Sequence, residues 1–344
     1  MRDLLRIGIA GYGVVGQRRR QFIDNHPKLH TVAVSDTKFT RDCVDEGVKI
    51  FRNYQDLFGE GLDILFVSLP NYLAPEATIN GLNNGCHVFC EKPPGKSVSD
   101  IVQVREVEAK FPNLKLKYGF NHRYHDNVRY ALKCIQEGTL GGVINLRGVY
   151  GKSQIISFES DWRTKRIQAG GGILLDQGIH MLDLMRMFCG EFHDIHSFVS
   201  NAHWQHDVED NAYALMRTKS GIIASIHSSA TQWRHKFNLE ISLEKGLIVL
   251  GGILTGSKSY GDETVTVFKK GDAGNDLETT IKFSEDVSWA AEISEFTDEI
   301  LQDVPVGTGN SEDALMTMEL VEKIYRADSQ WANKYLSVDS DHTF

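Results

Sequence analysis

The chain has 344 residues, of which 41% are hydrophobic and 24% are charged, and it carries a formal net charge of −9 at pH 7. This balance is typical of a folded globular protein and excludes a mainly disordered chain, a collagen-like chain and a coiled coil. The length predicts about two domains. The acidic charge without a basic stripe predicts no nucleic-acid partner, and the lack of an apolar run of about 18 residues predicts no membrane partner.

The amino terminus and the cysteines bear on the cellular compartment. Residues 1–3 lead straight into an apolar segment, without the pattern of a secretory signal. Five cysteines are an odd number scattered along a long chain, which does not fit a framework of disulfides. We therefore expect small buried thiols in a reducing cytoplasm. The cysteines are Cys43, Cys86, Cys90, Cys134 and Cys189.

The first part of the chain alternates strand-like and helix-like segments. Residues 64–69 are apolar on both faces, as in a central strand of a parallel sheet. Repeated alternation of strands and helices predicts an α/β fold with a doubly wound parallel sheet. The predicted strands cover residues 5–10, 30–35, 64–69, 87–90 and 115–120, and the predicted helices cover residues 17–25, 75–84 and 98–110.

The pattern changes after about residue 125. Two pairs of strand-like segments there flank the short turns Lys219-Ser220-Gly221 and Glu244-Lys245-Gly246, as in β-hairpins. The second part is therefore predicted to be α+β with a mostly antiparallel sheet, which divides the chain into domains 1–124 and 125–344. Its predicted strands cover residues 143–150, 211–217, 222–228, 237–243 and 247–250, and its predicted helices cover residues 127–136 and 314–328.

A glycine-rich hexapeptide, Gly11-Tyr12-Gly13-Val14-Val15-Gly16, follows the first predicted strand and opens the first predicted helix. In the dinucleotide fingerprint the first glycine permits a tight turn, the second lets the backbone approach a pyrophosphate, and the third lets helix and strand pack closely. The phosphates then lie against the N–H groups at the helix N-terminus. In this context the hexapeptide predicts a dinucleotide-binding site.

Asp36 ends the second predicted strand, 20 residues after Gly16. A carboxylate at this place binds the ribose 2′-hydroxyl and repels a 2′-phosphate, so the predicted cofactor is NAD rather than NADP. Lys38 lies two residues further on and would partly offset the repulsion. The arginines at residues 18–20 are expected on a solvated helix face, with attraction of the phosphates as the alternative.

Further motifs follow in a fixed order. Pro70-Asn71 ends one predicted strand, Glu91-Lys92-Pro93 ends the next, and a glycine-led segment later runs from residue 170 to residue 180. With the glycine hexapeptide, this order resembles the glucose-fructose oxidoreductase/inositol dehydrogenase (Gfo/Idh/MocA) family. One departure is Ala74, where many members carry histidine. Other matching segments are Asn121-His122-Arg123-Tyr124, Trp162-Arg163 and Ser311-Glu312-Asp313-Ala314.

The resemblance implies an N-terminal Rossmann domain that binds the cofactor and a C-terminal α+β domain with a large open sheet that binds the substrate. In the family the outer face of that sheet packs against another subunit, so a homodimer or homotetramer is expected. The substrates would be sugars, polyols or sugar nucleotides. The implied cofactor-binding residues are Gly11, Tyr12, Gly13, Val14, Val15, Gly16, Asp36, Pro70, Asn71, Glu91 and Lys92.

Hydride transfer from an alcohol carbon needs a group that takes the hydroxyl proton and a charge that stabilises the developing alkoxide. Asp176 and His180 are four residues apart, so in an α-helix their side chains would share one face. The glycine triplet 170–172 would permit close approach of the backbone to a ligand. On spacing alone, a capping aspartate and a core histidine are the alternative. The resemblance implies that Lys92, Asp176 and His180 are the catalytic residues.

Several further side chains suit a sugar-like ligand. Trp162 offers a flat face for a sugar ring, and Arg123 and Arg163 offer forked hydrogen-bond donors. His122 and His125 are weaker candidates. Ordinary packing or surface roles are the alternative for each, and no metal site is predicted. The expected substrate-binding residues are Lys92, Arg123, Tyr124, Trp162, Arg163, Asp176 and His180.

The sequence therefore predicts a cytoplasmic, NAD-dependent oxidoreductase. It would transfer a hydride between the nicotinamide and a secondary alcohol or ketone of a sugar, polyol or sugar nucleotide, with His180 and Lys92 handling the proton. Two alternatives remain: a glycosidase of the same fold that retains its nicotinamide, and a non-catalytic regulator that senses a ligand. Loops of the second domain, including residues 152–168, are expected to set the specificity.

Overall fold

The computed structural model describes residues 4–154, 162–255, 260–271 and 274–336. The chain divides into two compact units. The predicted boundary between residues 124 and 125 lies near the first change of unit, but the chain later returns twice to the first unit, which no local pattern indicates. The first unit is Met1–Asn121, Ile167–Gly170 and Ser288–Leu315, and the second is His122–Arg166, Gly171–Val287 and Met316–Phe344.

A seven-stranded sheet forms the centre of the first unit, counted over the described residues. Its strands are β1 (Leu5–Ala10), β2 (Leu29–Ser35), β3 (Cys43–Asp45), β4 (Val48–Phe51), β5 (Ile64–Val67), β6 (His87–Glu91) and β7 (Leu116–Gly119). They lie in the order β3-β4-β2-β1-β5-β6-β7, and the pairs are parallel except β3 with β4. The order reverses beside β1, and ligands of open α/β sheets bind outside the carboxyl ends of strands at such a point.

The second unit contains an eight-stranded sheet within the described ranges. Its strands are β8 (Val143–Gly151), β9 (Phe192–Ser200), β10 (Asn211–Thr218), β11 (Ile223–Ser229), β12 (Lys236–Leu243), β13 (Gly246–Gly251), β14 (Glu263–Lys269) and β15 (Leu277–Phe283). They lie in the order β15-β14-β13-β12-β8-β11-β10-β9. All neighbours are antiparallel except β8 and β11, which are parallel. The predicted fold class, a Rossmann domain with an α+β domain, is confirmed.

Helices cover both sheets. They are α1 (Val14–Asp24), α2 (Ala74–Asn83), α3 (Val98–Glu108), α4 (Asp126–Gln136), α5 (Arg166–Ala169), α6 (Ile179–Cys189), α7 (Ser288–Leu301), α8 (Ser311–Ala327) and α9 (Ser329–Tyr335). In the second unit, α6 packs on β8 at Gly148, where a Cβ would overlap the side chains of Met181 and Met185. Among the described residues, no helix is long and apolar enough to cross a bilayer.

Helix α7 completes the core of the first unit, although it follows the second unit in sequence. Its Phe296 packs edge-on against Phe89 of β6, with ring centroids 5.7 Å apart. Phe89 in turn stacks on Phe66 of β5 at 4.9 Å. The sequence pattern did not predict α7, nor the strands β3, β4, β9, β14 and β15. It also placed the start of α1 at residue 17, whereas Gly13 is the N-cap and the helix begins at Val14.

Candidate active site

The glycine loop of the first unit joins β1 to α1. Gly11 has a φ of +89°, and a Cβ there would overlap the carbonyl oxygen of Ser68. A Cβ at Gly16 would overlap the carbonyl oxygen of Gly11. No heavy atom of the described residues lies within 4 Å of the Cβ position of Gly13, so the backbone there faces open space. The three glycines thus have the roles that the dinucleotide fingerprint assigns to them.

The N-terminus of α1 is suited to bind phosphate. Gly13 is its N-cap, and no side chain of the described residues caps the helix. The N–H groups of the first turn, which have no partner within the helix, are therefore left for an anionic ligand. Val14 is 70% exposed, which leaves this turn open to a ligand.

Asp36 follows β2 directly and is tied to the glycine loop. Its Oδ2 accepts a hydrogen bond of 3.0 Å from the backbone N–H of Tyr12, and its Oδ1 accepts one of 2.9 Å from the N–H of Lys38. These bonds fix the carboxylate beside the loop that would hold the pyrophosphate. Each carboxylate oxygen has a further lone pair, so both can still accept from ribose hydroxyls.

Replacing Asp36 by Asn should change the cofactor preference. The variant keeps the shape of the side chain but loses the charge that attracts ribose hydroxyls and repels a 2′-phosphate, so NADH should bind about tenfold more weakly while NADPH binds better. Parallel fluorescence titrations with NADH and NADPH measure both effects. The control is Asp56→Asn, at an exposed carboxylate. An unchanged ratio of the two affinities would show that Asp36 does not discriminate.

Pro70 and Asn71 form the turn that leads from β5 towards α2. The carbonyl oxygen of Pro70 accepts hydrogen bonds from the N–H groups of Leu73 and Ala74. Asn71 is 6% exposed, and its Nδ2 donates a hydrogen bond of 2.8 Å to the carbonyl oxygen of Ala169. The amide of Asn71 therefore anchors the segment Ile167–Gly170 within the first unit. The expected contact of Asn71 with the cofactor stays a prediction, and the side-chain carbonyl oxygen is the atom that could make it.

The glycine triplet packs closely against other segments of the protein. Cβ atoms at these positions would overlap the backbone of Lys96 for Gly170, the hydroxyl of Tyr325 for Gly171 and the backbone of Glu209 for Gly172. These glycines are thus explained by packing within the protein, and the expected approach of their backbone to a ligand stays a prediction. The triplet is required because three separate segments of the chain pack against it.

The motif Glu91-Lys92-Pro93 lies at the carboxyl end of β6, and Lys92 is half-buried there. Glu91 accepts a hydrogen bond of 2.5 Å from Nε of Arg19, and Nη2 of the same guanidinium donates to Glu292 at 2.8 Å. Arg19 is completely buried, so its expected place on a solvated face was wrong. The side chain of Glu91 fixes the strand end that carries Lys92, and its expected contact with the cofactor stays a prediction.

Aromatic rings enclose this buried arginine. The guanidinium carbon of Arg19 lies 4.4 Å from the ring centroid of Phe89 and 4.2 Å from that of Trp289. Burial raises the pKa of Glu292 to about 7, even though the charge of Arg19 opposes this shift. Arg19 was not recognised from the sequence, because its two carboxylate partners are 72 and 273 residues away.

The free energy of unfolding should depend on the protonation of Glu292. Its pKa is about 7 in the folded protein against an ordinary value of 4.5. Between these two pH values the folded state therefore holds a proton that the unfolded chain has lost. This contribution to stability is fully present below pH 4.5 and is lost as the pH rises through 7. The loss is at most about 3 kcal/mol.

Urea denaturation of the wild type and of Glu292→Gln at several pH values measures this contribution. The glutamine variant should lose the decline in stability between pH 5 and pH 8, on the order of 2–3 kcal/mol. Glu278→Gln, at an exposed glutamate of β15, should decline like the wild type. Equal slopes for all three proteins would mean that Glu292 is ionised throughout.

In the second unit, a buried carboxylate organises the segment that carries Asp176 and His180. Glu209 is completely buried, and it accepts hydrogen bonds from the N–H of Gly172 at 2.7 Å, the N–H of Leu174 at 2.9 Å and the hydroxyl of Tyr325 at 2.7 Å. Burial raises its pKa, and the donors together with the charge of Arg166 oppose the shift. Glu209 thereby fixes where the turn before α6 begins.

That turn, Leu174–Gly178, is a π-helix that continues into α6 at Ile179. The α-helical spacing assumed for Asp176 and His180 therefore does not apply to the residues between them. π-Turns inside helices are frequent at functional sites, because the wider turn changes the direction of side chains. No pattern of apolar residues indicated this turn.

Asp176 lies among cations that the second unit supplies. Its Oδ2 accepts a hydrogen bond of 2.8 Å from Nζ of Lys152, and its Oδ1 is 3.7 Å from Nε of Arg163. Burial lowers the pKa of Arg163, and the charge of Asp176 opposes this shift. The Arg163 guanidinium stacks on Trp162, 4.3 Å from the ring centroid. The structure thus groups three of the expected site residues with one new residue, Lys152.

His180 lies in the first turn of α6 and is 4% exposed. Its ring stacks on that of His122, with centroids 3.7 Å apart and an interplanar angle of 11°. Nε2 of His122 is 3.0 Å from the hydroxyl of Tyr150. Burial raises the pKa of Tyr150 well above its ordinary value, so this hydroxyl keeps its proton. His122 therefore supports the ring of His180.

The remaining candidates of the Asn121–Tyr124 turn are buried. Arg123 forms a two-point ion pair with Asp183, at 2.7 Å and 2.6 Å, and their side chains are 7% and 1% exposed. Tyr124 is 2% exposed. His125 pairs with Glu263 at 2.7 Å, both 1% exposed. The geometry gives Arg123, Tyr124 and His125 structural roles, and substrate contact by Arg123 and Tyr124 stays a prediction.

The sequence indicated Lys152 only as the start of a specificity stretch, of which residues 155–161 lie outside the described residues. It missed Tyr150 and Gln177, as well as Tyr260, whose hydroxyl accepts a hydrogen bond of 2.5 Å from Gln177. The available signal was the end of a predicted strand at residue 150, where ligand-binding residues often follow. In the part of the chain that the structure describes, no group of three or more metal-ligating side chains occurs.

Comparison with known proteins agrees with this geometry. Residues 5–119 match the oxidoreductase family with an NAD-binding Rossmann fold, and residues 128–249 match the GFO/IDH/MocA C-terminal domain. The chain belongs to the GFO/IDH/MocA family of oxidoreductases, and its first unit is an NAD-binding domain. The open loop at Gly13 and the anchored carboxylate of Asp36 fit this cofactor.

The individual relatives have low sequence identity to this chain. The chain is similar to the 1,5-anhydro-D-fructose reductase of Ensifer adhaerens, with 28% identity over 63% of this chain and 65% of the relative. It is also similar to the myo-inositol 2-dehydrogenase of Thermotoga maritima, with 27% identity over 65% and 68%. The first curated relatives are matched over 50% to 65% of their own length.

A solved structure shares the fold over nearly the whole chain. It is a levoglucosan dehydrogenase in complex with NADH, which superimposes with a TM-score of 0.82 over 95% of this chain and 98% of that protein. The sequences are 18% identical, so the likeness shows the fold alone.

Proposed function

We propose that this protein is an NAD-dependent oxidoreductase that transfers a hydride between the nicotinamide and a secondary alcohol or ketone of a sugar, polyol or sugar nucleotide. The observation that carries the proposal is the buried polar cluster of the second unit, where an imidazole supported by a second ring and a carboxylate held by a buried lysine lie within one short segment. Such groups suit an alcohol that must lose a proton.

The roles of the residues follow from their chemistry. NAD supplies the hydride acceptor when bound. His180 takes the proton of the substrate hydroxyl and returns it in the reverse reaction, because an imidazole exchanges protons near neutral pH. Lys92 stabilises the developing alkoxide with its positive charge. Asp176 accepts a hydrogen bond from a neighbouring substrate hydroxyl, which orients the reacting carbon.

Trp162 and Arg163 are proposed to hold the ring of the substrate. Their side chains are partly exposed and stack on one another, so they present a flat face and a row of donors together. A sugar ring has apolar C–H faces and equatorial oxygens, which match these two features. Arg123 and Tyr124 are proposed as contributors to the same substrate site.

Replacing His180 or Lys92 should abolish most of the activity. We expect His180→Gln and Lys92→Ala to reduce kcat by about 10²–10⁴-fold, because general acid–base catalysis and stabilisation of charge each contribute on that order. NADH formation is measured with NAD and a panel of sugars, polyols and sugar nucleotides. His30→Gln and Lys219→Ala, at exposed positions, serve as controls. Full turnover in either site variant would refute the assigned role.

The same assay separates the oxidoreductase from a glycosidase that retains its cofactor. An oxidoreductase forms one NADH for each substrate molecule consumed, whereas the glycosidase releases sugar without net NADH. A regulator would bind ligand and turn over none of the panel. The ratio of NADH to product therefore decides among these three functions.

The protein is further proposed to form a homodimer or homotetramer through the outer face of its eight-stranded sheet. On β10, small or apolar residues alternate with exposed Tyr213 and Leu215, which are 51% and 52% exposed, and Phe198 of the neighbouring β9 is 79% exposed. A patch of large apolar side chains on a sheet face is typical of a protein interface. The five free cysteines support a reducing, cytoplasmic location.

Charges on this face should prevent association. The double variant Phe198→Glu, Leu215→Glu places carboxylates within the apolar patch, and the cost of burying them should shift the assembly to monomers. Analytical ultracentrifugation measures the mass of wild type and variant. Glu278→Lys, on the exposed strand β15 at the far edge of the sheet, is the control. A wild type that is monomeric at all concentrations would overturn the proposal.

A further inference from the structure

Lys152 is a buried lysine for which the proposed reaction has no assigned role. It follows β8 directly, and its side chain is 5% exposed. Its N–H donates to the carbonyl oxygen of Ser229 at 2.8 Å, and its own carbonyl oxygen accepts from the N–H of Gln232 at 2.9 Å. The backbone is therefore fixed on both sides, so the sheet sets the point from which the lysine side chain reaches Asp176.

The ammonium group is only partly satisfied. It carries three N–H donors, and within the described ranges one of them has an acceptor, Oδ2 of Asp176 at 2.8 Å. A buried charged donor without acceptors is costly, because it has lost its hydration. An ion pair of this kind seldom adds stability, since desolvation offsets the attraction of the two charges. Two remaining donors beside a carboxylate therefore point to a ligand that has oxygen atoms.

We propose that Lys152 is a specificity-determining residue, which acts with Asp176 as a donor–acceptor couple for two neighbouring oxygen atoms of the substrate. One substrate hydroxyl donates to the carboxylate, and the next accepts from the ammonium. Lys152 also positions Asp176 and keeps it ionised, so that the carboxylate acts as an acceptor. The inference rests on the proposed function, and it narrows the substrate to compounds with adjacent hydroxyl groups.

Other groups also act on Asp176, and they bear on the test. Arg163 approaches it from the Trp162–Thr164 turn. Tyr150 of β8 and Tyr260 lie close enough for its charge to raise the pKa of each hydroxyl, after burial as the main cause. Both tyrosines are neutral at working pH, whereas Lys152 and Arg163 are cations that face the carboxylate. Lys152 is the nearer of the two.

The first arm of the test needs no substrate. Carbon-13 NMR of the aspartate carboxyl groups, with the Asp176 signal assigned by Asp176→Asn, follows its titration in Lys152→Met and Lys152→Arg. We expect the methionine variant to raise the pKa of Asp176 by about one unit or more and the arginine variant to restore it. Lys282→Met removes an exposed ion pair of similar length, 2.7 Å to Asp262, and should leave Asp176 unchanged.

The second arm uses methyl β-D-glucopyranoside, its 2-, 3- and 4-deoxy analogues and myo-inositol, each with NAD. The wild type should lose at least about tenfold in kcat/KM when the hydroxyl facing Lys152 is absent, since a buried donor is then left unpaired. Lys152→Met should raise KM on the parent compound more than it lowers kcat, and it should no longer distinguish the deoxy analogue. Lys152→Arg should recover part of the discrimination.

The two arms separate this inference from the proposed function. An unchanged Asp176 titration in Lys152→Met overturns the inference, whatever the enzyme oxidises. Equal discrimination by wild type and Lys152→Met also overturns it. A wild type that oxidises none of the probes counts against the proposed function, and the carboxyl titration then still decides whether Lys152 controls Asp176. Thermal unfolding of each variant confirms that the compared proteins are folded.

Discussion

The buried carboxylate of Glu209 is the interaction on which the second unit's site depends. It holds the N–H of Gly172, which lies just before the π-helical turn, and the N–H of Leu174, the first residue of that turn. Without an acceptor there, these donors would be buried and unpaired, which costs more than the bonds themselves contribute. The position of Glu209 therefore determines where the turn starts, and through it the direction in which Asp176 and His180 leave the backbone.

The first unit uses the same principle with different partners. Asp36 holds the N–H of Tyr12 and so ties the glycine loop to the end of β2. At the end of β6, Arg19 binds Glu91 and Glu292 from a position enclosed by aromatic rings. In each case a charged side chain has a defined set of partners, so the loop beside it has one geometry. Precise loops at strand ends are what a cofactor and a small substrate require.

Local features of this site were predictable from the sequence, and distant ones were not. The glycines at 11, 13 and 16 and the carboxylate at 36 follow from the conformation of one strand–turn–helix, so their spacing is sufficient. Arg19 was misassigned because one of its carboxylate partners, Glu292, is 273 positions away, and the ion pair of Arg123 with Asp183, 60 positions away, was not predicted either. Helix α7 was missed for the same reason, since its contacts are with a sheet formed early in the chain.

The pairing of Lys152 with Asp176 is harder to explain by stability than by chemistry. Replacing a buried ion pair with apolar residues of similar size is often neutral or stabilising, so folding alone gives no reason to place a lysine there. The Asp176 side chain keeps 21% of its surface exposed, whereas that of Lys152 keeps 5%, so a charged acceptor faces solvent while its counterion stays inside. That arrangement leaves the acceptor oxygens of Asp176 at a position open to a ligand, which the proposed donor–acceptor couple needs and a structural ion pair does not.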